Sequence, residues 1–357
     1  QAPLGYGDDG IRTEISYGED QETKHPTAFF RLTFQGKASD QYFGVNASVD
    51  DGAVFHLNGK RIGSVRMRDD EETPYHGIKV SDATARSFAF VSFKRDLLVE
   101  GDNVLAVSVH QANGSSGDLF LDAELLELSL KDFGKLKRQR IALDYQLDLA
   151  EINNAFAAKR QDWIATYRAA ESDEEREALA QNQPSPDDEI ARINRLIDLY
   201  SEAPPTVNAI GTLMSFGAVR PKHIDVLLEY HIQSEKLTDL CMAAMYAPDS
   251  ARLLEAIMES SPHAKVKGAA AFARAKQLSN AQNPKHTERI VKLASQAVDQ
   301  LGDTQLGSMA KGLLFEAKNL AIGMTAPEIV GTDLEDVEFK LSEYRGKVVV
   351  LDFWGDW

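Results

Sequence analysis

Two short groups of polar side chains carry most of the chemistry that this sequence offers. Asp50, Asp51 and Asn58 bracket a turn-rich stretch, and His110, Gln111 and Asn113 follow an alternating run in "VSVHQANGSSGD". Loop carboxylates and carboxamides of this kind hydrogen-bond sugar hydroxyls or supply hard oxygen ligands to a cation such as calcium. Asp51-Gly52 and Asn58-Gly59 are turn chemistry first, because these residue types tolerate the left-handed conformations that tight turns demand. A lone His110 needs partners to act as a base or ligand, so its first reading is a hydrogen-bonded structural residue. The six remain candidate ligand-binding residues, with a glycan as the ligand class and no metal or cofactor expected. No carboxylate pair is spaced for glycosidic chemistry, so sugar hydrolysis is not supported.

Cys241 is the single cysteine, in "KLTDLCMAAMYA". It excludes an intrachain disulfide and any thiolate cluster. With Leu240, Met242 and Met245 around it and no basic neighbour to stabilise a thiolate, it reads as a buried small hydrophobe. The chain has 357 residues, 43% hydrophobic and 26% charged, enough for two or three domains with their own cores. Its net charge of −16 repels phosphate backbones and anionic lipid, which argues against nucleic-acid and membrane-surface partners. No window approaches the apolar length of a membrane-spanning helix. An N-terminus without Met and without a basic or apolar leader fits a mature chain freed of an export signal, and a cut boundary would look the same. An exported, periplasmic or extracellular location is expected.

The elements that must position these residues change period along the chain. Up to about residue 130 the period is two: "AFFRLTF", "GVNASV" and "NVLAVSVHQ" alternate, with Asp-Gly and Asn-Gly turns between neighbours. Short strands without helical interruption predict an all-β jelly-roll sandwich over 1–130. From 131 to 320 the period is 3.6. "SPDDEIARINRLIDLY" presents Ile190, Ile193, Leu196, Ile197 and Tyr200 on one stripe behind Ser185 as expected N-cap, and "HTERIVKLASQAVDQLG" closes on Gly302. Uneven helix starts separated by Pro, Gly or Asp breaks predict an all-α array of helical hairpins.

Residues 321–357 form a third segment. Pro327 stops the helices, "EIVGTDLEDVEFKL" reads as a hairpin around Asp333 to Asp336, and Lys347 to Phe353 reads as an apolar strand of the kind buried in the middle of a sheet. Such a strand needs cover and edge partners, and a neighbouring subunit donating a strand is one way to supply them. A homo-oligomer formed through this strand is therefore a partner expectation.

Ile322-Gly323, Ala326-Pro327 and "LSEYRGKVVVLDFWGDW" resemble the start of a thioredoxin-like domain of the thiol-disulfide oxidoreductase and peroxiredoxin kind. The resemblance implies an α/β domain of which 321–357 is the truncated beginning. It also implies that Trp354 and Trp357 flank the active-site approach, and that a Cys-x-x-Cys follows directly on the position of Trp357. These 357 residues then include no catalytic group. "APLGYGDDG", "TAFFRLTF", "DDGAVFHLNGKRIG" and "LVEGDNVLAVSVHQANGSSGDLFLDAELLEL" are similar to galactose-binding-like jelly-roll modules of secreted bacterial proteins. The order of sandwich, helices and redox segment resembles multidomain exported redoxins of planctomycete type. These resemblances imply an exported oxidoreductase acting on protein disulfides or a redox partner, with residues 1–320 as accessory scaffold. A structural or adhesive assembly protein that binds glycans or neighbouring subunits is the alternative.

Overall fold

The computed structural model describes residues 3–7, 10–18, 24–37, 41–67, 77, 85–113, 115–247, 250–320 and 324–352. The chain is a multidomain α/β protein whose described residues include ten α-helices, and it divides into two compact units, 1–185 and 186–357.

In the first unit, nine strands among the described residues build two sheets. They are β1 (Leu4–Tyr6), β2 (Thr13–Glu14), β3 (Thr27–Gly36), β4 (Tyr42–Val49), β5 (Gly52–Leu57), β6 (Lys60–Val65), β7 (Ala89–Phe93), β8 (Gly101–His110) and β9 (Leu119–Leu128). One sheet has the order β2-β1-β9-β4-β7 and the other β3-β8-β5-β6. All pairings are antiparallel except β1 with β2, which run parallel over two residue pairs. The alternation seen in the sequence sends Val45, Ala47 and Val49 of β4 inward against Ala53 and Phe55 of β5 and Leu105, Val107 and Val109 of β8, forming one shared core. Each such aliphatic side chain contributes roughly 1.5–3 kcal/mol by leaving water. Asn58 and Gly59 take left-handed φ of 51° and 78° and turn β5 tightly into β6.

Ser129 then caps α1 (Leu130–Ala169), its side chain accepting the Asp132 N–H at 3.2 Å. Phe133 packs against Tyr42 and Phe90, and Arg140 Nη2 donates to the Ser64 carbonyl at 2.7 Å, so the start of this helix lies along the sandwich. Its far end carries α2 (Asp173–Gln181), where a capping box of Ser172 and Glu175 starts the helix and Trp163 Nε1 donates to Leu179 O at 2.9 Å.

The second unit runs through α3 (Asp187–Leu199), α4 (Thr206–Ser215), α5 (Pro221–Val226), α6 (Leu237–Ala244), α7 (Ala251–Ser260), α8 (Ala264–Asn280), α9 (Thr287–Leu301) and α10 (Gln305–Asn319). Helix α3 begins at Asp187 with Pro186 at the cap, one residue later than the Ser185 cap expected, and buries Ile193 and Ile197. Helix α8 is central, touching α6, α7, α9 and α10. Its Ala269, Ala270, Ala271, Ala273 and Ala275 are fully buried, and such small side chains let neighbouring helices approach closely. Gly302, at φ 58°, ends α9.

Beyond α10, β10 (Val330–Thr332) and β11 (Glu338–Lys340) make an antiparallel hairpin whose turn is held by Asp333 Oδ1, which accepts the N–H groups of Glu335 and Val337. The run expected as a buried strand differs: residues 347–352 form no ladder, and Val348 and Val350 are 98% and 88% exposed. A strand requires a neighbouring strand for its N–H and C=O groups, and among the described residues the one such backbone bond of this stretch is local, from the Lys347 N–H to the Tyr344 carbonyl at 3.1 Å. Phe353 lies outside the described residues. Among those residues no helix is long and apolar enough to cross a membrane.

Candidate functional site

The β4–β5 turn and the end of β8 meet because Gly52 pairs with His110. Five of the six candidates from the sequence therefore fall at one end of the sandwich. The Asp50 N–H donates to the Phe120 carbonyl at 3.0 Å, tying the turn to β9. Asp51 is 4% exposed, and its Oδ2 accepts the Ala112 N–H at 2.6 Å. Arg66, just past β6, donates from Nε to the Asp51 carbonyl at 2.7 Å and from Nη2 to the Val49 carbonyl. Gly77 sits so close to this turn that a Cβ there would meet the His110 carbonyl at 2.3 Å and the Gly52 nitrogen at 2.6 Å, which requires glycine.

His110 is buried between two hydroxyls, Thr27 Oγ1 at 3.1 Å from Nδ1 and Ser108 Oγ at 2.8 Å from Nε2. Gln111 is fully buried: its N–H donates to the Pro26 carbonyl, its Nε2 donates to the Asp118 carbonyl, and its Oε1 receives no hydrogen bond. Across from it stands Tyr6 of β1, 3% exposed, whose hydroxyl also completes no hydrogen bond although the Gln111 amide lies against it. Asp50 Oδ2 is the third buried oxygen here without a partner. Lys24 covers the place from outside, its Nζ 5.3 Å from the Tyr6 ring centre and 5.7 Å from that of Tyr17, donating to the carbonyls of Ser116 and Gly117.

The charges in this corner disturb one another. Burial first, then the neighbouring charges of Asp118 and Asp51, pushes the Asp50 carboxyl up to about 7. Burial likewise pushes the Arg66 guanidinium down to about 10 and raises the Tyr6 phenol. Among the described residues, no group of three or more His, Cys, Asp or Glu converges to hold a metal ion.

Asn58 belongs elsewhere. At the other end of β5, its Nδ2 donates to Leu97 O and Asn103 Oδ1, and its Oδ1 accepts the Val104 N–H, so its side chain is spent on joining hairpins. Asn113 is exposed, with Oδ1 accepting both the N–H and the hydroxyl of Ser115 in an Asx turn. Sequence reasoning missed Tyr6, Arg66 and Asp118. Only the polar "GYGDD" and "GDLF" flanks of their strands pointed to the latter end of the fold, and nothing local marked Arg66.

Trp354 and Trp357 lie outside the described residues. Cys241, on α6, is fully buried, and burial pushes its thiol up to about 12. It has no thiolate to offer.

Comparison with known proteins gives short matches of one kind. The chain is 55% identical over 42 residues to the thiol-disulfide oxidoreductase ResA of Geobacillus kaustophilus, covering 12% of this chain and 24% of that protein. It is 52% identical over 42 residues to the ResA of Geobacillus thermodenitrificans, with the same coverage. To the ResA of Bacillus thuringiensis subsp. konkukian it is 38% identical over 50 residues, 14% of this chain and 29% of the relative. The chain thus spans about a quarter of the length of the curated relatives it matches. No family model matches it, and no solved structure matches it.

Proposed function

We propose that the chain belongs to an exported thioredoxin-like thiol-disulfide oxidoreductase, in which a jelly-roll sandwich (1–130) and a helical-hairpin array (131–320) serve as accessory scaffold for a redox domain entered at 321–357. One observation carries this reading: a 42-residue segment is 55% identical to a thiol-disulfide oxidoreductase. The phrase "LSEYRGKVVVLDFWGDW" supplies the physical rationale. In the family it resembles, the apolar strand ends at the N-terminus of a helix, whose free N–H groups and dipole stabilise an attacking thiolate. The substrate class is then a disulfide in another protein. Within the 357 residues the redox chemistry has no agent, because Cys241 stands alone and buried.

Insulin-disulfide reduction tests the assignment. The full gene product is expected to carry a paired Cys motif after Trp357 and to reduce insulin in the presence of a thiol donor, whereas residues 1–357 alone leave insulin intact. A gene product without a paired motif, or a full-length protein inert toward disulfides, overturns it.

A further inference from the structure

Among the described residues the two sheets of the sandwich end in four edge strands, β2, β7, β3 and β6, and three of these are blunted. β2 is two residues long and β7 five, while β6 carries Lys60 and Arg61 and shifts register against β5 between Phe55 and His56. Short, charged or bulged edges keep another chain from adding a strand. β3 is different: it runs ten residues with one charge, Arg31, and no proline, and it pairs with β8 in unbroken register. No strand among the described residues pairs with its other edge. The bond from the Gln111 N–H to the Pro26 carbonyl, 2.9 Å long, makes Thr27 and His110 a non-hydrogen-bonded pair. Alternation along the ladder then turns the N–H and C=O groups of residues 27, 29, 31, 33 and 35 away from β8. The side chains of this edge are bare as well. Leu32 is 54% exposed on the face where Ala28, Phe30 and Phe34 pack on the core, and Phe29 is 80% exposed on the opposite face.

We propose that β3 is a strand-pairing edge whose occupant is β3 of a second copy of this chain, running antiparallel across a two-fold axis at Phe30 and joining two four-stranded sheets into one. The strand complements itself in that register. Phe29 stands opposite the partner's Arg31 and Thr27 opposite the partner's Thr33, each pair bonded through the outward backbone groups. Each Arg31 then lies against the ring of the partner's Phe29, a cation–π contact that the two-fold makes twice. On the inner face Leu32 meets the partner's Ala28 in the closer, non-hydrogen-bonded kind of pair, so both exposed apolar side chains are covered. Other axes do less. An axis at Arg31 sets two guanidiniums opposite each other, which opposes pairing. An axis at Leu32 leaves Phe29 opposite the partner's Gln35, whose side chain is already bonded to Asp102. An isologous contact of this kind closes at two subunits. Ten residues a side is fewer than the roughly 20–30 of a standard interface, so the dimer is weak and reversible.

Association of the full chain tests this. In salt sufficient to screen the net charge of −16, sedimentation equilibrium should give 39.4 kDa in dilute solution and a mass rising toward twice that as concentration grows. Over the same range the amide hydrogens of Phe29, Arg31 and Thr33 should gain roughly tenfold protection from exchange, while those of Phe30 and Leu32, bonded to β8, are protected throughout. Phe29→Lys places like charges opposite the partner's Arg31 and should weaken association roughly tenfold or more, and adding Arg31→Glu to it creates opposite charges at the same pair and should restore association. Arg31→Pro deletes an outward N–H that the β3–β8 ladder does not use, so it should leave a folded monomer with a melting temperature close to the wild type. Phe29→Lys changes an exposed side chain and keeps the test decisive if the proline variant does not fold. A wild type that stays at 39.4 kDa at every concentration, a dimer that Phe29→Lys leaves intact, or a double variant that associates no more tightly than Phe29→Lys alone overturns the proposal.

Discussion

At the scale of single residues, His223 is committed to structure. His223 is fully buried in α5, and its Nδ1 accepts the Arg220 N–H at 3.0 Å, which leaves the proton on Nε2 to donate to Asn194 Oδ1 at 2.9 Å. That neutral tautomer joins α5 to α3, and burial, with Lys222 nearby, pushes the imidazole down to about 4. Truncating the acceptor in Asn194→Ala should cost about 1–3 kcal/mol in chemical denaturation at pH 7.5, because a buried donor is left unmet. A cost within experimental error would show that the contact is incidental. Sequence showed His110 and Gln111 as loop-end polar residues, and Asp50 and Asp51 as turn formers. It could not show that Tyr6 and Asp118 complete their corner, because Tyr6 lies over forty positions before Asp50 and Asp118 over sixty after it, and the order β1-β9-β4 brings them near. Asn58 looked equivalent to Asp51 in sequence, and strand length alone separates them.

At the scale of elements, alternation and helical period read directly as strands and helices, since burial of one face is what both patterns encode. The misses came where partners decide. A run of Val and Leu at 348–351 has strand composition, yet composition provides no neighbour, and the run stays without a ladder. Helix contacts were equally hidden. Gly268 in α8 is a place where α9 comes close: a Cβ would meet Leu301 Cγ at 2.8 Å and Gln300 Cβ at 3.0 Å. Gly312 in α10 meets nothing within 4 Å. Both are glycines inside helices, and both look alike in sequence. Gly312→Ala should stabilise by about 0.5–1 kcal/mol through backbone entropy, whereas Gly268→Ala should destabilise by about 1–2 kcal/mol, the overpacking exceeding the same propensity gain. Thermal melts of the two variants decide this, and a stabilised Gly268→Ala would mean that the α8–α9 contact is looser than described.

At the scale of the whole molecule, the two units answer pH in opposite senses. Unit 1–185 holds Asp50, whose folded value of about 7 lies above the unfolded 3.8, so folding is favoured in acid and the contribution fades as the pH rises across that interval. Unit 186–357 holds His223, whose folded value of about 4 lies below the unfolded 6.5, and His231, shifted the same way by burial. Those imidazoles must be neutral to fold, so their contribution is complete above the unfolded value and is lost as the pH falls from 6.5 toward 4. Self-repulsion from the net charge of −16 is a different effect, because it presses on both units in one direction as carboxylates ionise. Scanning calorimetry from pH 5 to pH 7.5 should therefore resolve two transitions, the sandwich moving down by a few degrees and the helical unit moving up by a similar amount. Asp50→Asn should flatten the first without touching the second, and His223→Gln should flatten the second alone. Transitions that travel together, or that each variant shifts equally, would show that general charge, and not these buried groups, sets the pH response of both units.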